Sequence, residues 1–274
     1  MEDCALTLGS KINGTIVGNF GDAALFSTDH SKPLNTLIGG LLYTKDHFLA
    51  SRLKDSQARL PSLSKSRQSA LLRRIMIETH YCNPSRYGRL ALIDIYEIVR
   101  KRYFGRSKDF LDEDSGVEEI TSYPYPSKLP SFLAMIGLFE IARWKDVKQQ
   151  RKDLLRSLIK IVMESNLSSV LPRCYTNPKL DIVPIRFALN WEYSDDVIKK
   201  IGSFLNDDWV WFRTPIIATN IPLESFGYQK GNCPISEKIG PQMVNIPCNV
   251  SGQFHKDLIA RVEESFPRTS PKDV

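Results

Sequence analysis

The sequence lacks the residue groupings that mark several common classes of protein. Its five cysteines are widely spaced, with no C-x-x-C pair and no His/Cys cluster. We therefore expect reduced thiols and no zinc site. No apolar run reaches the ~18 residues of a membrane-spanning helix. Glu2 and Asp3 stand where a secretory signal would carry basic residues. These absences predict a cytoplasmic protein with no metal site and no membrane span.

Composition and charge are those of an ordinary folded protein. The 274 residues are 42% hydrophobic and 25% charged, with a formal net charge of +6, and this length suits one or two domains. Much of the positive charge lies in residues 65–106. Such a segment leaves open a polyanion or a membrane surface as partner. No recognition-module signature accompanies it, so we favour solvated helix faces and expect no nucleic-acid partner.

Periodicity predicts an α/β first part and an α+β second part. In the first part we expect strands at 23–26 and 39–44 and helices at 45–53, 67–81 and 89–104. A connection is expected at 112–127. In the second part we expect a helix at 131–163 with a break near Asp146, a proline-bearing edge strand at 181–189, and helices at 194–205 and 254–265.

One lysine near the start of the chain stands in an unusual setting. In the stretch FSTDHSKPLNTLIGG, Lys32 follows small hydroxyl residues and precedes a glycine pair. An isolated lysine is usually an exposed residue without a catalytic role. Only the residues around Lys32 can therefore indicate that it has one. Those neighbours stand in a fixed order along the chain: Glu2-Asp3, Gly18, Gly21-Asp22, Phe26-Ser27, Lys32, Gly39-Gly40 and Thr44.

With this order of residues, the opening segment EDCALTLGSKINGTIVGNFGDAALFSTDHSKPLNTLIGGLLYTKDHFLASRL resembles the DegT/StrS-type sugar aminotransferases. The resemblance continues through YPSKLPSFLAMIGLFEIARW, VPIRF and the closing CPISEKIGPQMVNIPCNVSGQFHKDLIARVEE, and is poorest at 56–122. It implies an α/β fold of the type I aspartate-aminotransferase kind. The expected domains are a partial pyridoxal-phosphate-binding large domain with a helical basic insertion at 1–122, and a smaller, helix-led α+β C-terminal domain at 123–274.

The resemblance also implies a site for pyridoxal phosphate. Lys32 would form the Schiff base and then move a proton as acid and base. Asp3 would pair with the protonated pyridine nitrogen, and Ser27 would donate to the phosphate. Lys128 stands where the family usually carries an arginine that reaches the neighbouring subunit's phosphate. Lysine keeps the positive charge but lacks the planar guanidinium group of arginine. Without the family context, Asp3 is a turn or helix cap and Ser27 a turn hydroxyl.

Two other motifs carry less weight. Asp29, His30 and Ser31 hold the atoms of a hydrolase triad, but contiguous residues cannot adopt its relay geometry. The early glycines lack the G-K-[ST] ending of a nucleotide phosphate loop.

The implied reaction transfers an amino group, typically from glutamate, to a keto-sugar nucleotide used in polysaccharide synthesis. The expected partners are the sugar-nucleotide substrate, the amino-acid donor, and a second copy in a homodimer. Family members have about half of the large domain before the Asp3 motif, so the resemblance implies a truncation or a complementing N-terminal half. Together with Leu6 and Pro126, which depart from the family pattern, this motivates an alternative: a non-catalytic homologue that binds a partner or dimerises.

Overall fold

The computed structural model describes residues 1–29, 32–81, 126–192, 195, 197, 201, 214–216, 222–250 and 252–266. Its strands are β1 (Glu2–Asp3), β2 (Lys11–Ile12), β3 (Thr15–Ile16), β4 (Ala23–Ser27), β5 (Gly40–Thr44), β6 (Leu180–Asp181), β7 (Arg186–Asn190) and β8 (Met243–Pro247). Its α-helices are α1 (His47–Arg59), α2 (Lys65–Tyr81), α3 (Ser131–Glu164), α4 (Pro234–Ile239) and α5 (Gln253–Ser265). Within these ranges, no helix has the length and apolar character needed to cross a membrane.

The first sheet has the strand order β1-β4-β5. Strand β1 runs parallel to β4 with Asp3 opposite Leu25, and β4 runs antiparallel to β5 with Ser27 opposite Gly40. The strands predicted at 23–26 and 39–44 are confirmed. Because parallel strands end at the same edge of a sheet, Asp3 and Ser27 lie at one edge, which we call the carboxyl edge.

A β-hairpin, and not a helix, follows β1. Strands β2 and β3 pair antiparallel across Asn13 and Gly14, which both have positive φ, at 49° and 81°. This is the conformation that a two-residue Asn-Gly hairpin turn requires. Strand β2 also pairs with β6. This hairpin was not among the predicted elements, although the Asn-Gly pair is a signal for it.

Helix α1 begins where the sequence predicts and ends later. The Asp46 side chain accepts hydrogen bonds from the backbone N–H groups of Phe48 and Leu49, which caps the helix N-terminus. The helix continues to Arg59. The helix predicted at 67–81 is confirmed as α2.

Three predicted elements lie wholly or mostly outside the described residues. The helix at 89–104 is wholly outside them, and the connection at 112–127 is described only at 126 and 127. The helix at 194–205 is described only at 195, 197 and 201.

The long helix α3 is continuous over 34 residues, so the predicted break near Asp146 is wrong. The residues around that position are charged, but lysine, glutamine and arginine are good helix formers. Ion pairs and hydrogen bonds along the helix surface support the charged stretch: Gln149 donates to Asp153 at 2.9 Å, and Arg156 lies 3.2 Å from Asp153. A run of charge here marks an exposed helix surface and not an interruption.

The single strand predicted at 181–189 is also wrong. Residues 180–181 form β6, and residues 186–190 form β7 in another sheet, paired antiparallel with β8. Pro184 lies between them and has no backbone N–H to continue a ladder. The predicted terminal helix is confirmed as α5. It packs with β7, β8 and the second half of α3 around an apolar core of Leu154, Leu158, Val162, Phe187, Leu189, Val244, Ile246, Leu258 and Phe266.

Candidate functional site at the carboxyl edge of the first sheet

Asp3 is the last residue of β1, and its side chain is exposed at the carboxyl edge. The carboxylate accepts the backbone N–H of Ala5 at 3.0 Å through Oδ1. The next residue, Cys4, is buried and donates its backbone N–H to Leu25 at 2.8 Å. The backbone on both sides of Asp3 is therefore fixed, because the residue that follows it is hydrogen-bonded to β4.

Glu2 organises the loop that leads into β4. Its carboxylate accepts three backbone N–H groups, from Gly18 at 2.8 Å and from Phe20 and Gly21 at 2.7 Å each. The hydrogen bond from Gly21, with those from Gly18 and Phe20, lowers the pKa of the Glu2 carboxyl. Sequence reasoning assigned Glu2 no role, although its place beside Asp3 and before several glycines was a usable signal.

Gly18 is required where that loop crosses the sheet. Its φ is +98°, and a Cβ there would lie 2.8 Å from the Phe26 ring. Real Cβ atoms do not approach so closely, and L side chains rarely adopt this φ. The backbone of the loop therefore lies directly against Phe26, the neighbour of Ser27.

Ser27 ends β4, and Lys32 lies in the loop that joins β4 to β5. Ser27 is half-buried, and its hydroxyl accepts the backbone N–H of Asp29 at 3.4 Å. Lys32 is half-buried and donates its backbone N–H to the Asp29 carbonyl at 2.9 Å. The chain after Lys32 enters the interior at Pro33 and Leu34. The loop is therefore anchored on both sides of the lysine.

Two buried threonines close this loop at its base. The backbone N–H of Thr28 donates to Gly39 at 3.0 Å, and that of Thr36 donates to the Thr28 carbonyl at 2.8 Å. The hydroxyl oxygens of Thr28 and Thr36 lie 2.6 Å apart. These threonines were missed in the sequence, because only the folded loop brings them together.

Lys128 lies on a separate segment that leads into α3. Its backbone N–H donates to Pro61 at 2.9 Å, and it forms a parallel bridge with Ser62. The next residue, Leu129, contacts the loop base: a Cβ at Gly39 would lie 2.9 Å from its Cδ1. The structure thus brings Asp3, Ser27 and Lys32 to one edge and places Lys128 beside a residue that contacts their loop.

The side chains gathered here have complementary chemistry. An exposed carboxylate can pair with a protonated ring nitrogen, a primary amine can condense with an aldehyde, and a hydroxyl with an ammonium group can bind phosphate. Across the described part of the chain, no group of three or more His, Cys, Asp and Glu could hold a metal ion. A phosphorylated aldehyde is one ligand that such groups can bind.

Comparison with known sequences identifies relatives of the first part of the chain. Residues 1–76 match the sequence profile of the DegT/DnrJ/EryC1/StrS aminotransferase family. The GDP-perosamine synthase of Escherichia coli O157:H7 is 44% identical over 52 residues, which are 19% of this chain and 14% of that protein. The family resemblance seen in the motifs is confirmed over this part of the chain.

Solved structures resemble nearly the whole chain. A DegT DnrJ EryC1 StrS aminotransferase from Brucella abortus covers 97% of it with a TM-score of 0.54 at 15% identity. DesV from S. venezuelae, in complex with a ketimine intermediate, covers 97% with a TM-score of 0.57 at 17% identity. At such identities the likeness shows the fold, and the predicted type I α/β fold is confirmed. The chain spans 56% and 57% of the lengths of these two proteins.

Proposed function

We propose that this chain functions as a pyridoxal-phosphate-dependent sugar aminotransferase. The proposal starts from the match of residues 1–76 to the DegT/DnrJ/EryC1/StrS aminotransferase family. The reaction transfers an amino group from an amino-acid donor to a keto-sugar nucleotide. One observation carries the proposal: Asp3 ends β1, Ser27 ends the neighbouring β4, and Lys32 lies in the loop that follows. These three residues of the family motif thus lie at one edge of one sheet.

The residues at this edge fit pyridoxal phosphate. When bound, this cofactor supplies an electron sink for a negative charge that develops on the substrate carbon. Asp3 would hold a proton on the pyridine nitrogen, which its exposed carboxylate allows. Lys32 Nζ would hold the aldehyde carbon covalently and, once released, take and return the proton at the substrate carbon. Ser27 Oγ would donate to the phosphate, and Lys128 would add positive charge at the phosphate of a neighbouring subunit.

The substrate class is inferred from a relative. The GDP-perosamine synthase of Escherichia coli O157:H7 is similar over a segment of 52 residues, and its name indicates a sugar-nucleotide product. We propose a keto-sugar nucleotide of polysaccharide synthesis as the acceptor and glutamate as the donor. We also propose the division into a cofactor-binding domain at 1–122 and a small domain at 123–274, and a cytoplasmic location.

A second candidate is a chain that completes its site only with a partner, or that binds partners without catalysis. The residues that favour it are Leu6 and Pro126, which depart from the family pattern. The partner would be a second copy or a complementing polypeptide.

Two measurements on one purified sample test these candidates. The first is the amount of pyridoxal phosphate that stays with the chain after desalting, and the second is 2-oxoglutarate formed from glutamate in a single turnover. We expect retention and turnover in the wild type and the loss of both in Lys32→Ala. Retention without turnover would favour the partner-dependent candidate. Absence of both, with the chain folded, would refute cofactor binding by this chain.

A further inference from the structure

The hydroxyl of Thr36 lies at the centre of a buried polar cluster. It lies 2.6 Å from the Thr28 hydroxyl, 2.7 Å from the Ile38 carbonyl and 3.1 Å from the Thr28 carbonyl. Thr36 itself is only 2% exposed. The Thr36 hydroxyl is the donor toward all three oxygens, and its single proton serves one of them at a time. This cluster joins the two ends of the loop.

Lys32 lies midway in sequence between Thr28 and Thr36. The returning part of the loop is held in an unfavourable conformation, since Leu37 is buried with a φ of +69°. The Asn35 side chain accepts the Leu37 backbone N–H at 2.8 Å. A leucine persists in the left-handed region only where its surroundings fix it there, and such strain gathers at functional sites.

The methyl group of Thr36 seats the loop against helix α3. A Cβ added at Gly137 would lie 3.2 Å from Thr36 Cγ2, so little space separates the helix backbone from this methyl group. The hydroxyl and the methyl group of one side chain thus make two separate contacts, one within the loop and one to the helix. The two contacts can be removed one at a time.

We propose that Thr36 is a positioning residue, whose hydroxyl fixes the loop base and thereby holds the Lys32 amine at the carboxyl edge with Asp3 and Ser27. This inference rests on the proposed function, because that function gives the Lys32 amine its reaction. Thr36 is buried and would act through the geometry of the loop.

Two substitutions separate the contacts of Thr36. Thr36→Val keeps the shape and removes the hydroxyl, whereas Thr36→Ser keeps the hydroxyl and removes the methyl group. Thr176→Val is the matched control, since the exposed Thr176 hydroxyl bonds only locally, to the Arg173 carbonyl at 3.3 Å. Each full-length protein is incubated with pyridoxal phosphate and reduced with borohydride, and the pyridoxyl label on Lys32 is measured by mass spectrometry.

We expect Thr36→Val to lower labelling of Lys32 about tenfold or more, because the Thr28 hydroxyl and the Ile38 carbonyl lose the hydrogen bonds that the Thr36 hydroxyl donates. Thr36→Ser and Thr176→Val should stay within about threefold of the wild type, less than the effect of a typical lost hydrogen bond. Equal labelling of Thr36→Val and the wild type would overturn the inference, and so would equal losses in the Val and Ser variants. If Thr36→Val does not fold, Thr28→Val replaces it with the same expected direction.

A readout without cofactor separates this inference from the proposed function. Amide hydrogen exchange at Thr36 and Leu37, and acetylation of Lys32 by an amine reagent as a function of pH, are measured on the same variants. Faster exchange and an altered acetylation profile in Thr36→Val alone would support the positioning role, even if wild-type Lys32 takes no label. In that case only the proposed function would fail. Unchanged exchange and acetylation in Thr36→Val would overturn the positioning role.

Discussion

The C-terminal core and the carboxyl edge of the first sheet are stabilised by different interactions. In the core, Phe187, Ile246 and Leu158 are completely buried, and apolar contact provides the stability. At the edge, backbone groups are held by the side chains of Glu2 and Thr36 through hydrogen bonds. The core thus supports folding as a whole, whereas the edge fixes the geometry of a few residues. Substitutions in the two regions should change different measured quantities.

The largest effect on stability is expected at Phe187 in the core. Phe187→Ala removes a buried ring that stacks on Tyr175 with centroids 5.4 Å apart, and should lower the free energy of unfolding by about 3–5 kcal/mol. Urea denaturation measures this change. In folded Phe187→Ala, pyridoxal phosphate and borohydride should still label Lys32. Loss of that label in the folded variant would show that the two regions do not act independently. Phe226→Ala, at a 45% exposed ring, should cost less than about 0.5 kcal/mol.

The next effect is expected at Gly18, which tests geometry at the edge. Gly18→Ala should destabilise the protein by about 1–3 kcal/mol, because the new methyl group meets the Phe26 ring in a left-handed backbone. Gly14→Ala is the matched control: its φ is also positive, at +81°, but nothing lies within 4 Å of a Cβ there. Urea denaturation of both variants is the measurement. Equal losses would show that backbone strain, and not the contact with Phe26, sets the cost.

A smaller and local effect is expected at the N-terminus of α1. Asp46→Ala removes the acceptor for two backbone N–H groups and should cost about 1 kcal/mol. Because α1 buries no residue, the loss should appear as faster amide exchange in its first turn. Asp46→Asn keeps an acceptor and should exchange nearly as slowly as the wild type. Faster exchange across β7 and β8 would contradict a local role.

The smallest effect is a pH dependence due to Glu2. Hydrogen bonds from Gly21, Gly18 and Phe20 lower the pKa of this carboxyl in the folded protein. Its contribution to stability is therefore complete above the ordinary pKa of about 4.3 and is lost as the pH falls through the lowered pKa. NMR titration should show the Gly18 and Gly21 amide signals shifting only in that acidic range. Glu2→Gln should show no such titration, and identical curves would contradict the role of Glu2.

The sequence predicted the elements that local pattern determines. Apolar runs predicted β4 and β5, and helical periodicity predicted α1. One strand was predicted at 181–189, although Pro184 divides it, and the hairpin at Asn13 and Gly14 was not predicted. A break was predicted near Asp146, where α3 is continuous because its charged residues are good helix formers.

The site was predictable only in part, for a physical reason. Family motifs named Asp3, Ser27 and Lys32, each of which has its chemistry in its own side chain. Glu2 bonds backbone groups 16 to 19 residues away, and Thr36 joins Thr28 to Ile38 across the loop, so these contacts exist only once the chain has folded. Residues that position others leave little trace in a single sequence.

The most direct test of the account is to find which lysine binds pyridoxal phosphate. The wild type and Lys32→Ala would be mixed with the cofactor, reduced with borohydride, digested and analysed by mass spectrometry. The account predicts one dominant pyridoxyl label, on Lys32, that disappears in the variant without moving to another lysine. Labels spread over the exposed lysines, at the same level in both proteins, would contradict it.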